Sequence, residues 1–151
     1  AAPRFHSRYN ATAKTYTYRI CKNKGAHVFD RRYMYHYFGK LDVNAMKMAT
    51  IQLRGEHDFK SFCGNPRMRK STIRTIYNIR IDETDDELAI TFVGSGFLQY
   101  MVRILVGTLI EVGEGKRDPL SMDALLEARD RKMAGPTAPP EGLTLVKVDY
   151  N

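Results

Sequence analysis

From Gly96 to Gly113 the chain reads Gly-Phe-Leu-Gln-Tyr-Met-Val-Arg-Ile-Leu-Val-Gly-Thr-Leu-Ile-Glu-Val-Gly, apolar nearly all the way round a helical wheel. Such a pattern predicts a helix buried on most sides. At 1.5 Å per residue it is about 25 Å long and carries a charge at its centre, so it is a core helix rather than a membrane span. Ala11 to Cys21 instead alternates, with Tyr16, Tyr18 and Ile20 on one face and Thr15, Thr17 and Arg19 on the other. That period of two predicts a strand, ended by the Asn23-Lys24-Gly25 turn. Arg32 to Phe38 repeats the alternation and predicts an edge or return strand. Asp42 to Leu53 is amphipathic, with Asp42 as N-cap, Ala45, Met46, Ala49 and Leu53 on the buried stripe, and Gly55 closing the helix. Thr75 to Ile81 and Leu88 to Val93 predict a hairpin whose tip, Asp82 to Glu87, carries five acids. Leu120 to Arg131 predicts a shorter helix with Ser121 as cap, Met133 to Gly142 a Pro-rich loop, and Leu143 to Tyr150 a last strand.

Strand, helix, strand, strand, helix, strand is the order of a split βαβ unit. The expected class is α+β, ferredoxin-like, a mostly antiparallel sheet with helices packed on one face, in a single domain over residues 1–151. The sheet's other face would be free to hold RNA, although the aromatic RNP pattern of RNA-recognition modules is absent.

The core helix carries one anomaly. Gln99, Arg103, Gly107 and Glu111 stack on one narrow stripe, each one turn from the next. A guanidinium keeps its charge, so Arg103 in apolar company requires an anion, and none stands one turn away along the helix. Its partner must come from elsewhere in the fold, from a second domain or from a ligand. The commoner outcome for such a residue is a structural ion pair or a side chain snorkelling to solvent.

Charge sharpens the picture. The formal net charge of +7 favours a polyanionic partner, nucleic acid first and an anionic membrane second. The loop bearing Arg67, Arg69, Lys70 and Arg74 is either a solvated surface or a phosphate contact. Tyr16 and Tyr18 are either half-buried packing or a stacking platform worth roughly 1–3 kcal/mol per base. Cys21 and Cys63 lie far apart, and the four histidines fall at no metal spacing, so neither a disulfide framework nor a metal site is read. No signal peptide or transmembrane run is seen, and the absence of an initial methionine suggests a piece of something longer.

Five collinear motifs give a more specific reading. Phe5-His6-Ser7-Arg8 runs into Ala11-Thr12-Ala13-Lys14-Thr15-Tyr16-Thr17-Tyr18, followed by His57-Asp58-Phe59-Lys60-Ser61-Phe62 and Ser71-Thr72-Ile73-Arg74-Thr75-Ile76. Gly96-Phe97 then leads through Met101-Val102-Arg103 to Val106-Gly107, and Ala138-Pro139 to Gly142-Leu143. In this order the chain resembles the C-terminal half of tRNA pseudouridine synthases of the TruA type, over essentially its whole length. The resemblance implies an isomerase that converts uridine to pseudouridine in the anticodon stem-loop region of tRNA, without cofactor or metal. It implies a cytoplasmic homodimer. The family's Gly-Arg-Thr-Asp-Ala-Gly motif, which carries the nucleophilic aspartate, is not found here.

By the same resemblance Arg103 is the cationic partner of that aspartate, supplied by an N-terminal half. Tyr16 is the active-site tyrosine, and both are the catalytic candidates. Leu143, Phe97, Arg8 and His6 are candidates for substrate binding, and Arg67, Arg69, Lys70 and Arg74 for RNA backbone contact. The chain alone is then expected to be inactive. Two other readings stand beside this one: a non-catalytic basic RNA-binding module, and a purely structural role for Arg103 and the tyrosines.

Overall fold

The structure, a computed structural model, describes residues 11–22 and 33–150. Strand β1 (Ala11–Cys21) lies inside a six-stranded sheet, antiparallel to β5 (Glu87–Gly94) on one side and to β6 (Leu143–Tyr150) on the other. The two-residue β2 (Tyr35–His36) runs parallel to the end of β1. Beyond β5 come β4 (Ile73–Glu83) and the short β3 (Gly55–Asp58), both pairings antiparallel. Helix α1 (Val43–Leu53) lies between β1 and β4 in the chain, and β5 fills the gap between those strands. Helix α2 (Met101–Gly113) likewise separates β5 from β6. This is the expected split βαβ arrangement, and the α+β class holds.

Strand register decides which face is buried. Tyr18 stands opposite Ile90, Ile20 opposite Leu88 and Tyr16 opposite Phe92, while Ile79 and Ile81 face Phe92 and Ile90 from β4. All but Tyr16 are buried, against Met46, Ala49 and Leu53 of α1 and Ile104, Leu105 and Leu109 of α2. Each such side chain contributes about 1.5–3 kcal/mol on leaving water. The opposite face is polar. There the Thr17 and Thr91 hydroxyls meet at 3.1 Å, and Arg19 pairs with Glu87 at 2.5 Å.

Several elements differ from expectation. The core helix begins at Met101, not Gly96, because the Gln99 carbonyl accepts from Gly64 N at 2.8 Å and Tyr100 adopts φ 60. Gln99 is therefore not on the Arg103 stripe. Of the strand expected over 32–38, only Tyr35–His36 pairs, and Arg32 lies outside the described residues, as does the Asn23-Lys24-Gly25 turn. The late helix, α3, spans only Met122–Ala128, and the Ser121 hydroxyl donates to Asp118 O instead of capping it. On α1, Asp42 caps as expected, accepting from Ala45 N at 3.1 Å, but Thr50 is buried where Ala45 is only half-buried. Gly55, at φ +95, follows the helix and opens β3.

Candidate active site

The sheet's end and the start of α2 make a corner. Strand β5 stops at Gly94, where a Cβ would come within 2.9 Å of Thr75 O, and the chain then leaves the sheet through Ser95 and Gly96. Phe97 thereby meets Tyr16 edge-on, ring centroids 5.3 Å apart at 89°. Arg103 projects from the first turn of α2 and Leu143 from the first residue of β6. Together with Leu98, Tyr100, Met101, Val102 and Pro140 these residues line a pocket of about 280 Å³. That is slightly under the ~300 Å³ at which small-molecule clefts begin. A roomier depression of about 520 Å³, bounded by Asp42 and the Val112–Pro119 turn, contains none of the predicted site residues.

Among the described residues Arg103 has no counter-ion. Its Nε donates to Ala138 O at 2.7 Å, and its Cζ lies 5.1 Å from the centroid of the Tyr100 ring. Glu111, the acid on its own helix, is taken by Arg117 at 2.8 Å. The positive end of the α2 dipole adds to the guanidinium's field. The pocket thus offers a fixed cation, the two phenols of Tyr16 and Tyr100, and apolar walls, and no described residue lining it is an acid, histidine or thiol.

The Pro-rich loop fixes this geometry. Gly107 lies against Pro136, and a Cβ there would collide with the Pro136 carbonyl. Gly135 N donates to Thr108 Oγ1 at 2.9 Å, Ala138 N to Arg103 O at 3.0 Å, and the Tyr18 hydroxyl to Pro139 O at 2.6 Å. Burial first, and then Tyr35 and Glu141, raise the Tyr18 hydroxyl well above its ordinary range, against a smaller opposing effect of Arg103. Tyr18 is accordingly a neutral structural donor. The helical stripe of Arg103, Gly107 and Glu111 is real, and the loop packs along it.

Of the predicted residues, Tyr16, Phe97, Arg103 and Leu143 converge in one pocket. Arg74 is close by: it lies in β4 with Nε 3.8 Å from where a Gly96 Cβ would stand, and its Nη1 donates to Ser71 O and Ile73 O, each at 2.8 Å. Arg67, Arg69 and Lys70 are exposed on the loop before β4 and do not line the pocket. His6 and Arg8 lie outside the described residues. Sequence reasoning missed Tyr100, whose left-handed backbone is uncommon for a non-glycine residue and typical of functional sites. Its signal was the break in apolar character at Gln99-Tyr100.

A family model described as tRNA pseudouridine synthase matches residues 49–151. The chain belongs to the tRNA pseudouridine synthase family. Among relatives, this synthase-family chain is 48% identical over 147 residues to tRNA pseudouridine synthase A 1 of Bacillus cereus (strain ATCC 10987 / NRS 248), covering 97% of this chain and 60% of that protein. It is 47% identical over 151 residues to tRNA pseudouridine synthase A of Geobacillus sp. (strain WCH70), covering 100% of this chain and 61% of the relative. With tRNA pseudouridine synthase A of Listeria monocytogenes serovar 1/2a the figures are 47% over 148 residues, 97% and 60%. The synthase-family chain therefore spans about 60% of the length of these relatives. Among its described residues no helix is long and apolar enough to cross a membrane, and no group of three His, Cys, Asp or Glu could hold a metal ion.

Proposed function

We propose that this chain supplies the arginine and tyrosine half of a tRNA pseudouridine synthase active site, and that the nucleophilic aspartate comes from an N-terminal half of the same protein. The observation that carries the reading is Arg103: a half-buried guanidinium lining a small, largely apolar pocket, bonded to one carbonyl and paired with no described acid. A carboxylate entering there would be kept ionised and oriented by the adjacent positive charge, as a nucleophile must be. Tyr16, braced by Phe97, and Leu143 would pack against the uracil ring, offsetting the few kcal/mol needed to take it out of its stack. Tyr16 is also the candidate for moving a proton late in the isomerisation. The reading includes a single domain over residues 1–151, a homodimeric assembly and a cytoplasmic site of action on tRNA.

Reconstitution tests this. The chain alone should give no pseudouridine with tRNA, and addition of a half bearing the Gly-Arg-Thr-Asp-Ala-Gly motif should restore the reaction. Arg103→Ala in the reconstituted enzyme should lower turnover by about 100-fold or more, as for removal of a charged group that orients a nucleophile. Near-normal turnover of Arg103→Ala would discredit the assignment. The exposed Arg67, Arg69 and Lys70 favour a second reading, a non-catalytic RNA-binding module, which predicts salt-sensitive tRNA binding and no isomerisation under any pairing.

A further inference from the structure

We infer that the hollow between the Cys63–Thr72 loop and the Arg129–Lys132 turn is a second RNA contact, a groove for the phosphodiester backbone of the substrate away from the base pocket. The inference rests on the tRNA reading above. The hollow has a volume of about 390 Å³ and gathers Lys60, Arg129, Arg131 and Lys132 around Cys63 and Met68. Lys60 belongs to one of the collinear motifs, but Arg129, Arg131 and Lys132 do not; Lys60 is 69 residues away from Arg129, and only the fold brings the four cations together. None of the four forms an ion pair with a described residue. The one acid lining the hollow, Asp130, uses Oδ1 to accept from Lys132 N at 3.0 Å. Asp58, bonded to Thr72 on the same wall, accepts there from Lys60 N at 3.1 Å and from the Thr72 hydroxyl at 2.5 Å.

The cations stand on a fixed frame. Asp130 N donates to the buried Ser61 hydroxyl at 2.9 Å, which itself donates to Leu125 O at 2.8 Å. Arg129 is held at φ 47, a backbone state that costs a non-glycine residue roughly 1–2 kcal/mol, and Arg131 Nη2 reaches Thr137 Oγ1 at 3.3 Å. Like charges gathered in one hollow repel one another, and a polyanion relieves that repulsion. The groove is also joined to the base pocket. Gly64, beside Cys63, bonds Gln99 O and backs onto Tyr100, while Thr137 adjoins Ala138, the acceptor of Arg103. Exposed Arg67, Arg69 and Lys70 extend the positive surface along the loop, and a line of charge suits a chain of phosphates better than a single anion.

The test is the salt dependence of tRNA binding, read by anisotropy of labelled tRNA titrated with the protein. Lys60→Gln, Arg131→Gln and Lys132→Gln together should lower the slope of log affinity against log salt by about 2–3, at roughly 0.7–0.9 per lost phosphate contact. Lys132→Gln alone, an exposed change with little bearing on folding, should lower it by about 1. The charge-keeping set Lys60→Arg, Arg131→Lys and Lys132→Arg should retain the original slope. A neutralised triple variant with an unchanged slope overturns the groove and leaves the tRNA reading standing. Failure of the unaltered protein to bind tRNA overturns both.

Discussion

Gly107→Ala is the substitution for which helix propensity and tertiary packing make opposite predictions. In an exposed helix, replacing glycine by alanine stabilises by about 1 kcal/mol. Gly107 instead lies beneath the Pro136 peptide, and an added methyl would collide with its carbonyl oxygen and stand 2.8 Å from its carbon. Both obstacles are backbone, so the loop must lift. Three hydrogen bonds go with it: Gly135 N to Thr108 Oγ1 at 2.9 Å, Ala138 N to Arg103 O at 3.0 Å and Arg103 Nε to Ala138 O at 2.7 Å. At about 1 kcal/mol each, less the propensity gain of about 1, the net loss is about 2 kcal/mol. For a chain of this size that lowers Tm by about 4–8 °C, measurable by circular dichroism or calorimetry. Gly115→Ala is the comparison, since a Cβ there meets nothing within 4 Å although φ is +81. It should cost only the backbone strain of about 1–2 kcal/mol and leave Arg103 in place. Reconstituted turnover should therefore fall in Gly107→Ala and hold in Gly115→Ala. A Gly107→Ala protein that melts at or above the original temperature would refute the packing argument.

Other substitutions probe neighbouring contacts. Tyr18→Phe removes the 2.6 Å bond to Pro139 O and should cost about 1 kcal/mol in urea unfolding; an unchanged midpoint would show that the loop does not depend on it. Asp42→Ala deletes the bond to Ala45 N and should cost about 1 kcal/mol, with denaturation unaffected if α1 needs no cap. Tyr37 donates to Glu114 at 2.6 Å; burial first and that bond second push its hydroxyl up from 10.0 to about 12, while the same bond holds the Glu114 carboxyl below its usual range. Because the folded tyrosine titrates later than the unfolded one, its stabilisation is complete below pH 10 and is lost between pH 10 and 12. Glu114 acts in the opposite sense, its contribution being present above its ordinary pKa and lost as pH falls through the depressed one. Tyr37→Phe should flatten both flanks of a Tm-versus-pH curve, and parallel curves for the two proteins would contradict this.

The sequence by itself determined the elements whose signals are local. Alternation of period two over Ala11–Cys21 specified a strand with the observed bounds, because one face meets the core and the other does not, and the last strand expected over Leu143–Tyr150 has the observed bounds as well. Asp42 marked the start of α1 because a cap bonds within its own first turn. The collinear motifs named the family, and they offered Tyr16 and Arg103 as catalytic and Phe97 and Leu143 as substrate-binding candidates, four residues that line one pocket. Where α2 begins was decided elsewhere: Gly64, far back in the chain, takes the Gln99 carbonyl that a longer helix would have used. The late helix stopped at Ala128 because Arg129 turns left-handed and Asp130 N bonds the Ser61 hydroxyl, a partner no local window contains. Only the tertiary structure showed that Gly107 seats Pro136, that Ala138 rather than a carboxylate receives Arg103, and that Lys60 joins the cations of 129–132. Hydrophobic period is a property of neighbours in the chain; a hydrogen bond or a charge cluster between distant residues is a property of how the packed core brings them together.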